Sequence, residues 1–62
     1  MTPPYKVELW RADGSSQLLN YTMSVESAER VVSEHVGTLG TNQVIRIRDA
    51  RGALVFSSDP NE

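Results

Sequence analysis

The amino-acid sequence predicts a small α+β domain, a two-layer ββαββ sandwich in which one helix packs on a four-stranded, mainly antiparallel sheet. Apolar and polar residues alternate near both ends of the chain, as they do in half-buried strands. A central segment instead repeats apolar residues at the spacing of one helical face. A glycine-containing segment typical of a hairpin turn interrupts each alternating region. The 62 residues suffice for a single domain, with 1–4 as a less ordered lead-in and 57–62 as a tail.

The first hairpin begins with the alternating residues 5–9. A three-residue loop over 12–14, with its glycine in the left-handed conformation, places Val7 opposite Leu19 and turns Tyr21 to the same side. A two-residue loop would turn Leu19 and Tyr21 to the other face, because a shift of one residue inverts a strand. We therefore expect both side chains in the core.

The helix is predicted to begin after Ser24, whose hydroxyl suits an N-cap. Either Gly37 or Gly40 is expected to end it in the left-handed conformation. The apolar face at helical spacing consists of Val25, Ala28, Val32, Val36 and Leu39. The opposite, solvated face carries a ladder of alternating charge formed by Glu26, Arg30 and Glu34.

The second hairpin is predicted to turn through a four-residue loop over 49–52, built on a type I turn. This loop places Arg48 opposite Ala53 and Ile47 opposite Leu54. A three-residue loop would pair Arg48 with Leu54, and would thereby bury a charge or expose an apolar side chain. The four-residue loop is therefore favoured.

Both hairpins together define a predicted core and leave two strand orders open. The core residues of the strands are Tyr5, Val7, Leu9, Leu19, Tyr21, Ile45, Ile47, Leu54 and Phe56. The order 2-1-3-4 is wholly antiparallel, whereas the order 2-1-4-3 pairs strands 1 and 4 in parallel. The first order is favoured because parallel pairs are less frequent.

The order 2-1-4-3 resembles the ubiquitin-type β-grasp in outline. The chain ends Asp59-Pro60-Asn61-Glu62 instead of with a pair of glycines. The resemblance therefore implies a topology and no conjugation or sulfur-carrier chemistry, since a fold alone does not determine function.

Composition excludes several classes of function. Eight acidic and six basic residues give a net charge of −2, too balanced to indicate a dedicated nucleic-acid or membrane binder. The chain has no cysteine and one histidine, so we expect neither a Cys–His pair nor a multi-histidine metal site. His35 is predicted to be half-buried near the helix end, a structural position. We expect a non-enzymatic protein without a cofactor or small-molecule substrate, and a cytoplasmic location by default.

The face of the sheet that the helix leaves uncovered is the remaining candidate site. Strand parity assigns to it Lys6, Glu8, Trp10, Leu18, Asn20, Val44, Arg46, Arg48 and Val55. Tryptophan and arginine are enriched at protein-binding hot spots. The candidate partner-binding residues are therefore Trp10 as anchor, with Lys6, Leu18, Val44, Arg46, Arg48 and Val55 around it.

Three interpretations of this face remain open. It is a protein-binding surface, for another protein or for a second copy in a homodimer. Alternatively, it binds single-stranded nucleic acid weakly. Trp10 would then stack on a nucleobase, and the side chains of Lys6, Arg46 and Arg48 would hold phosphates. The third interpretation is a solvated face on which the 1–4 lead-in or the C-terminal tail covers Trp10.

Overall fold

The computed structural model describes residues 2–61, which form one sheet and one helix. The elements are β1 (Tyr5–Trp10), β2 (Ser16–Thr22), α1 (Val25–Val36), β3 (Val44–Arg48) and β4 (Leu54–Ser57). The four strands are antiparallel in the order β2-β1-β3-β4. The ββαββ α+β prediction and its favoured strand order are confirmed, and the β-grasp-like order is wrong. Met1 and Glu62, at the ends of the predicted lead-in and tail, lie outside the described residues.

The start of α1 follows the prediction, and its end differs. Ser24 is the N-cap, in an extended conformation with φ −138°, and its hydroxyl oxygen accepts the backbone N–H of Ser27 at 3.2 Å. Gly37 has φ −72°, so the left-handed end predicted there is wrong. The chain leaves α1 through a tighter turn, in which the N–H of Thr38 donates to the carbonyl of His35 at 3.0 Å. The left-handed residue comes later, at Asn42 (φ 66°).

The core lies between α1 and the inner side of β1 and β3. Its buried residues are Tyr5, Val7, Ala28, Val31, Val32, Ile45 and Ile47. Leu9, Leu19, Val25 and Leu39 pack against this cluster as partly buried residues. Val36 of the predicted helical stripe is 50 % exposed, and Val31 takes its place. The charged residues Glu26, Arg30 and Glu34 are exposed, as predicted.

Three strand residues predicted in the core are exposed: Tyr21 by 54 %, Leu54 by 42 % and Phe56 by 38 %. Both hairpins contain an irregularity that the alternation of apolar residues does not reveal. A bulge adds one residue to one strand, so that residues beyond it change side, as Tyr21 does. Leu54 lies on the outer side because the second turn has three residues. Phe56 is on the core side, opposite Ile47, but α1 does not pack over β4.

In the first hairpin the predicted three-residue turn is confirmed. The N–H of Arg11 donates to the carbonyl of Ser15 at 2.9 Å, and Gly14 has φ 88°. A bulge at Leu19 then shifts the register, so Val7 lies opposite Asn20. The predicted pairing of Val7 with Leu19 is wrong for this reason, and Tyr21 lies opposite Lys6 instead of Tyr5.

In the second hairpin the four-residue loop is wrong, because the turn has three residues. The N–H of Asp49 donates to the carbonyl of Ala53 at 3.0 Å, and Gly52 has φ 84°. Arg48 therefore lies opposite Leu54, which remains exposed at the strand edge. A bulge at Val55 follows, and Ile47 lies opposite Phe56 instead of Leu54.

Candidate protein-binding face

The candidate site is the side of the sheet opposite α1, called the sheet face below. Val7 pairs with Ile47 and Leu9 with Ile45 on the side of the core. Successive residues of a strand point to opposite sides, so the alternate residues of β1 and β3 form the sheet face. Its cross-strand rows are Ser16, Trp10 and Val44, then Leu18, Glu8, Arg46 and Ser57, then Tyr21, Lys6, Arg48 and Leu54.

Trp10 lies on the sheet face, as predicted, and is half-buried there by charged neighbours. Its indole Nε1 donates to the Oε1 of Glu8 at 3.1 Å. The guanidinium carbon of Arg46 lies 5.2 Å from the centre of the ring, within the range of a cation–π contact. The indole is therefore held in a fixed position by a hydrogen bond at its edge and a cation over its face.

Glu8 lies at the centre of this arrangement. Its Oε1 also accepts from the Nε of Arg48 at 3.2 Å, and the side chains of Arg48 and Glu8 are 31 % and 19 % exposed. Arg48 in turn donates through Nη1 to the carbonyl of Gly52 at 3.1 Å. A partner that covers these groups would leave neither charge unpaired, which lowers the cost of burying them.

Other apolar and basic residues predicted from parity also lie on the sheet face, near Trp10 and Glu8. Val44 is the cross-strand neighbour of Trp10 and is half-buried. Leu18, opposite Glu8, is 46 % exposed. Lys6 lies between Tyr21 and Arg48 in the third row.

Two residues assigned to this face lie elsewhere, because the bulge in the first hairpin and the shorter turn of the second change their side. Val55 packs against the core cluster, and Asn20 lies opposite the core residue Val7. Tyr21 and Leu54 occupy the sheet face instead. The sequence does contain an indication of the side on which Leu54 lies. The segments 11–14 and 49–52 both have alanine second and glycine last, and the two segments form the same three-residue turn. That turn places Leu54 opposite Arg48, on the sheet face.

Residues 2–4 of the lead-in do not cover Trp10. The carbonyl of Thr2 accepts the N–H of Ala50 at 2.9 Å, which places the lead-in beside the second turn. Lys6, near that end of β1, pairs with Arg48, whereas Trp10 pairs with Val44 at the other end. At about 3.3 Å per strand residue, the two positions are separated by most of the length of β1.

The remaining polar groups with notable contacts serve the fold. The Nδ1 of His35 lies 2.9 Å from the carbonyl of Val31, and the imidazole is half-buried as predicted. Hydrogen bonds from the Ser15 hydroxyl and N–H hold the pKa of Asp13 below its usual 3.8. The backbone N–H groups of Ala53 and Arg51 lower the pKa of Asp49 in the same way.

Residues 2–61 contain neither a candidate metal-binding cluster nor a helix that could span a membrane. No three histidine, cysteine, aspartate or glutamate side chains in this range lie together as a metal site would require. No helix in the described part of the chain has the length and apolar composition to cross a bilayer. Comparisons with protein-family models, with curated proteins and with solved structures found no match.

Proposed function

We propose that this chain is a small, non-enzymatic interaction module that binds another protein through the sheet face. The observation that carries the proposal is the position of Trp10, which is fixed by Glu8 and Arg46 on the side away from the helix. An aromatic anchor that is already ordered loses little conformational entropy on binding. Exposed apolar side chains also lie on the sheet face, Leu18 in the row next to Trp10 and Tyr21 and Leu54 two rows away, and exposed apolar surface is typical of interfaces.

The size of the face favours a different protein over a second copy as the partner. Four strands spaced by about 4.8 Å and about 20 Å long present roughly 400 Å² of flat area. A stable interface buries about 800 Å² on each partner. Two copies packed face to face would therefore bury too little for a stable pair. A larger partner extends its contact beyond the sheet face.

Binding of a protein through the sheet face is better supported than addition of a partner's strand at the edge of the sheet. The longest edge strand is β2, and a bulge interrupts it at Leu19. Beyond the bulge, the backbone N–H of Tyr21 donates to its neighbour's side-chain oxygen, Oδ1 of Asn20, at 2.8 Å. Bulges and satisfied edge groups oppose the addition of a further strand.

Single-stranded nucleic acid is the weaker candidate. A base that stacks on Trp10 must compete with Arg46, which lies over the ring at 5.2 Å. Arg48 already serves Glu8 and the carbonyl of Gly52. RNA-binding sheets usually offer two or three stacking aromatics, and here Tyr21 stands apart from Trp10 by two rows.

The test uses one binary complex and a matched pair of variants. Proteins captured on the immobilised chain are identified, and a candidate complex is rebuilt from purified components for calorimetric titration. Trp10→Ala, the loss of a hot-spot anchor worth about 2 kcal/mol, should weaken binding about 30-fold while the chain remains folded by circular dichroism.

Leu18→Ser and Val36→Ser provide the matched control, since the two aliphatic side chains are 46 % and 50 % exposed on opposite sides of the molecule. The first should weaken the complex and the second should not. Equal affinity of Trp10→Ala and the parent chain would overturn the proposal. Binding of an oligonucleotide alone, with affinity that falls steeply as salt rises, would favour the nucleic-acid alternative.

A further inference from the structure

A groove lies between α1 and the edge strand β4, on the side of the molecule away from the sheet face. It has a volume of about 350 Å³ and is lined by Glu29, Val32, Ser33 and Phe56. The helix packs over β2, β1 and β3, so Phe56 remains 38 % exposed although it pairs with the buried Ile47. The volume falls at the lower end of the range for small-ligand sites.

The chemistry of the lining is specific. Val32 and Phe56 form apolar walls, and Glu29 supplies a carboxylate. The hydroxyl of Ser33 donates to the backbone carbonyl of Glu29 at 3.1 Å, so its proton is already used within the helix. Within residues 2–61, Glu29 has no ion-pair partner. The groove therefore offers acceptors, an aromatic ring and a negative charge.

We propose that this groove binds the side chain of an arginine or lysine presented by a peptide segment of another protein. The aliphatic stem of such a side chain packs on Val32, and its cationic end lies between the ring of Phe56 and the carboxylate of Glu29. A neutral apolar occupant would bury Glu29 without a partner, which is costly. An anionic occupant would be repelled by it.

The wider electrostatics of the helix point the same way. The exposed charges of α1 are three glutamates, at 26, 29 and 34, against one arginine at 30. This excess of negative charge complements a basic segment and raises its rate of encounter. The site is separate from the sheet face, so it does not depend on the function proposed for that face.

The test is an NMR titration of the isotopically labelled chain with two blocked amino acids that differ in charge. N-acetyl-arginine amide should shift the backbone amide signals of Val32, Ser33 and Phe56 in a saturable manner, with a dissociation constant in the millimolar range. N-acetyl-citrulline amide has the same shape without the charge. We expect it to bind at least about fivefold more weakly, because it lacks the charge that makes a partly solvated ionic contact and a cation–π contact.

Two glutamate variants provide the control for general electrostatic attraction. Glu29→Gln should weaken arginine amide about fivefold, whereas Glu26→Gln, exposed on the same helix outside the groove, should leave the affinity within about a factor of two. Phe56→Leu, which keeps an apolar wall and removes the ring, should also weaken binding. Circular dichroism verifies that each variant is folded.

Three results would overturn the proposal. One is equal affinity for the arginine and citrulline probes, which would indicate an apolar site. Another is an equal loss in both glutamate variants, which would indicate diffuse attraction to the helix. The third is a shift of the groove signals with protein concentration alone, which would assign the groove to a second copy of the chain.

Discussion

The two hairpins have the same turn backbone and differ in how that turn is anchored. In each, the residue that precedes the three-residue loop, Arg11 or Asp49, makes two backbone hydrogen bonds. Its carbonyl accepts the N–H of the loop glycine at 3.0 Å, and its own N–H donates to the carbonyl of the residue after that glycine. Both glycines, Gly14 and Gly52, adopt a left-handed conformation. The difference lies in the position of the aspartate: Asp13 is third in the segment 11–14, and Asp49 is first in the segment 49–52.

That difference in position changes what the carboxylate does. Asp13 is exposed and its Oδ1 accepts from the N–H and hydroxyl of Ser15, at 2.9 Å and 2.7 Å. Asp49 is only 5 % exposed and accepts from two backbone N–H groups across its own turn. The second turn is also bonded to the lead-in through Thr2. One turn sequence is therefore a solvated connection and the other is part of the packed structure.

The largest expected effect separates the interior of the second hairpin from its edge. Ile47 is fully buried, whereas Leu54, in the neighbouring strand, is 42 % exposed. Ile47→Ala should lower the free energy of unfolding by about 2–5 kcal/mol, and Leu54→Ala by no more than about 0.5 kcal/mol. Urea denaturation measures both. Similar losses in the two variants would mean that Leu54 belongs to the core, as parity of the strand predicts.

An intermediate effect tests whether the two turns are the same. Neither Gly14 nor Gly52 has an atom within 4 Å of an added Cβ, so alanine there meets only the strain of a positive φ. Gly14→Ala and Gly52→Ala should each cost about 1–2 kcal/mol. Gly37, at φ −72° and also with open space, is the control.

Gly37→Ala should instead stabilise the protein by about 0.4–1 kcal/mol, because alanine restricts the unfolded chain without strain in the folded one. Thermal denaturation followed by circular dichroism ranks the three variants. A destabilised Gly37→Ala, or a large difference between the two turn variants, would contradict the shared geometry.

The smallest expected effect is on the loss of stability at acidic pH. Both aspartates have a pKa lowered below 3.8, so each stabilises the fold fully above that pH and loses the contribution as pH falls further. Asn keeps an acceptor oxygen and removes the titration. Between about pH 6 and about pH 2, Asp49→Asn should flatten the decline in urea midpoint more than Asp13→Asn, since Asp49 is the buried one. The reverse order would refute the contrast between the turns.

The features that the sequence predicts correctly depend on local or strongly patterned signals. Ser24 caps the helix through its own hydroxyl, and the alternation of β1 and β3 is unambiguous because polar residues separate Val7 from Leu9 and Ile45 from Ile47. These two strands place Trp10 and the charges around it. The central part of the sheet face therefore follows from parity alone.

The features that it misses lie where apolar residues are adjacent. Both bulges fall in such runs, at Leu18-Leu19 and within the three residues that begin at Leu54. A consecutive pair satisfies either register, so hydrophobic pattern does not select one. For this reason the pattern places Tyr21 on the wrong side, whereas the side of Leu54 depends on the length of the second turn. The preference of the Asp49 carboxylate for a three-residue turn is a hydrogen-bonding effect that the hydrophobic pattern does not contain.

The anchoring of the two ends of the described chain has a mechanical consequence. Thr2 is tied to Ala50 at one end of the sheet, and the N–H of Ser58 donates to the carbonyl of Ile45 towards the other. A force that pulls these ends apart acts along β1 and β4 in opposite directions, with β3 between them. Inter-strand hydrogen bonds lie perpendicular to the strands, so this load shears many of them together instead of unzipping them singly, and the domain resists extension.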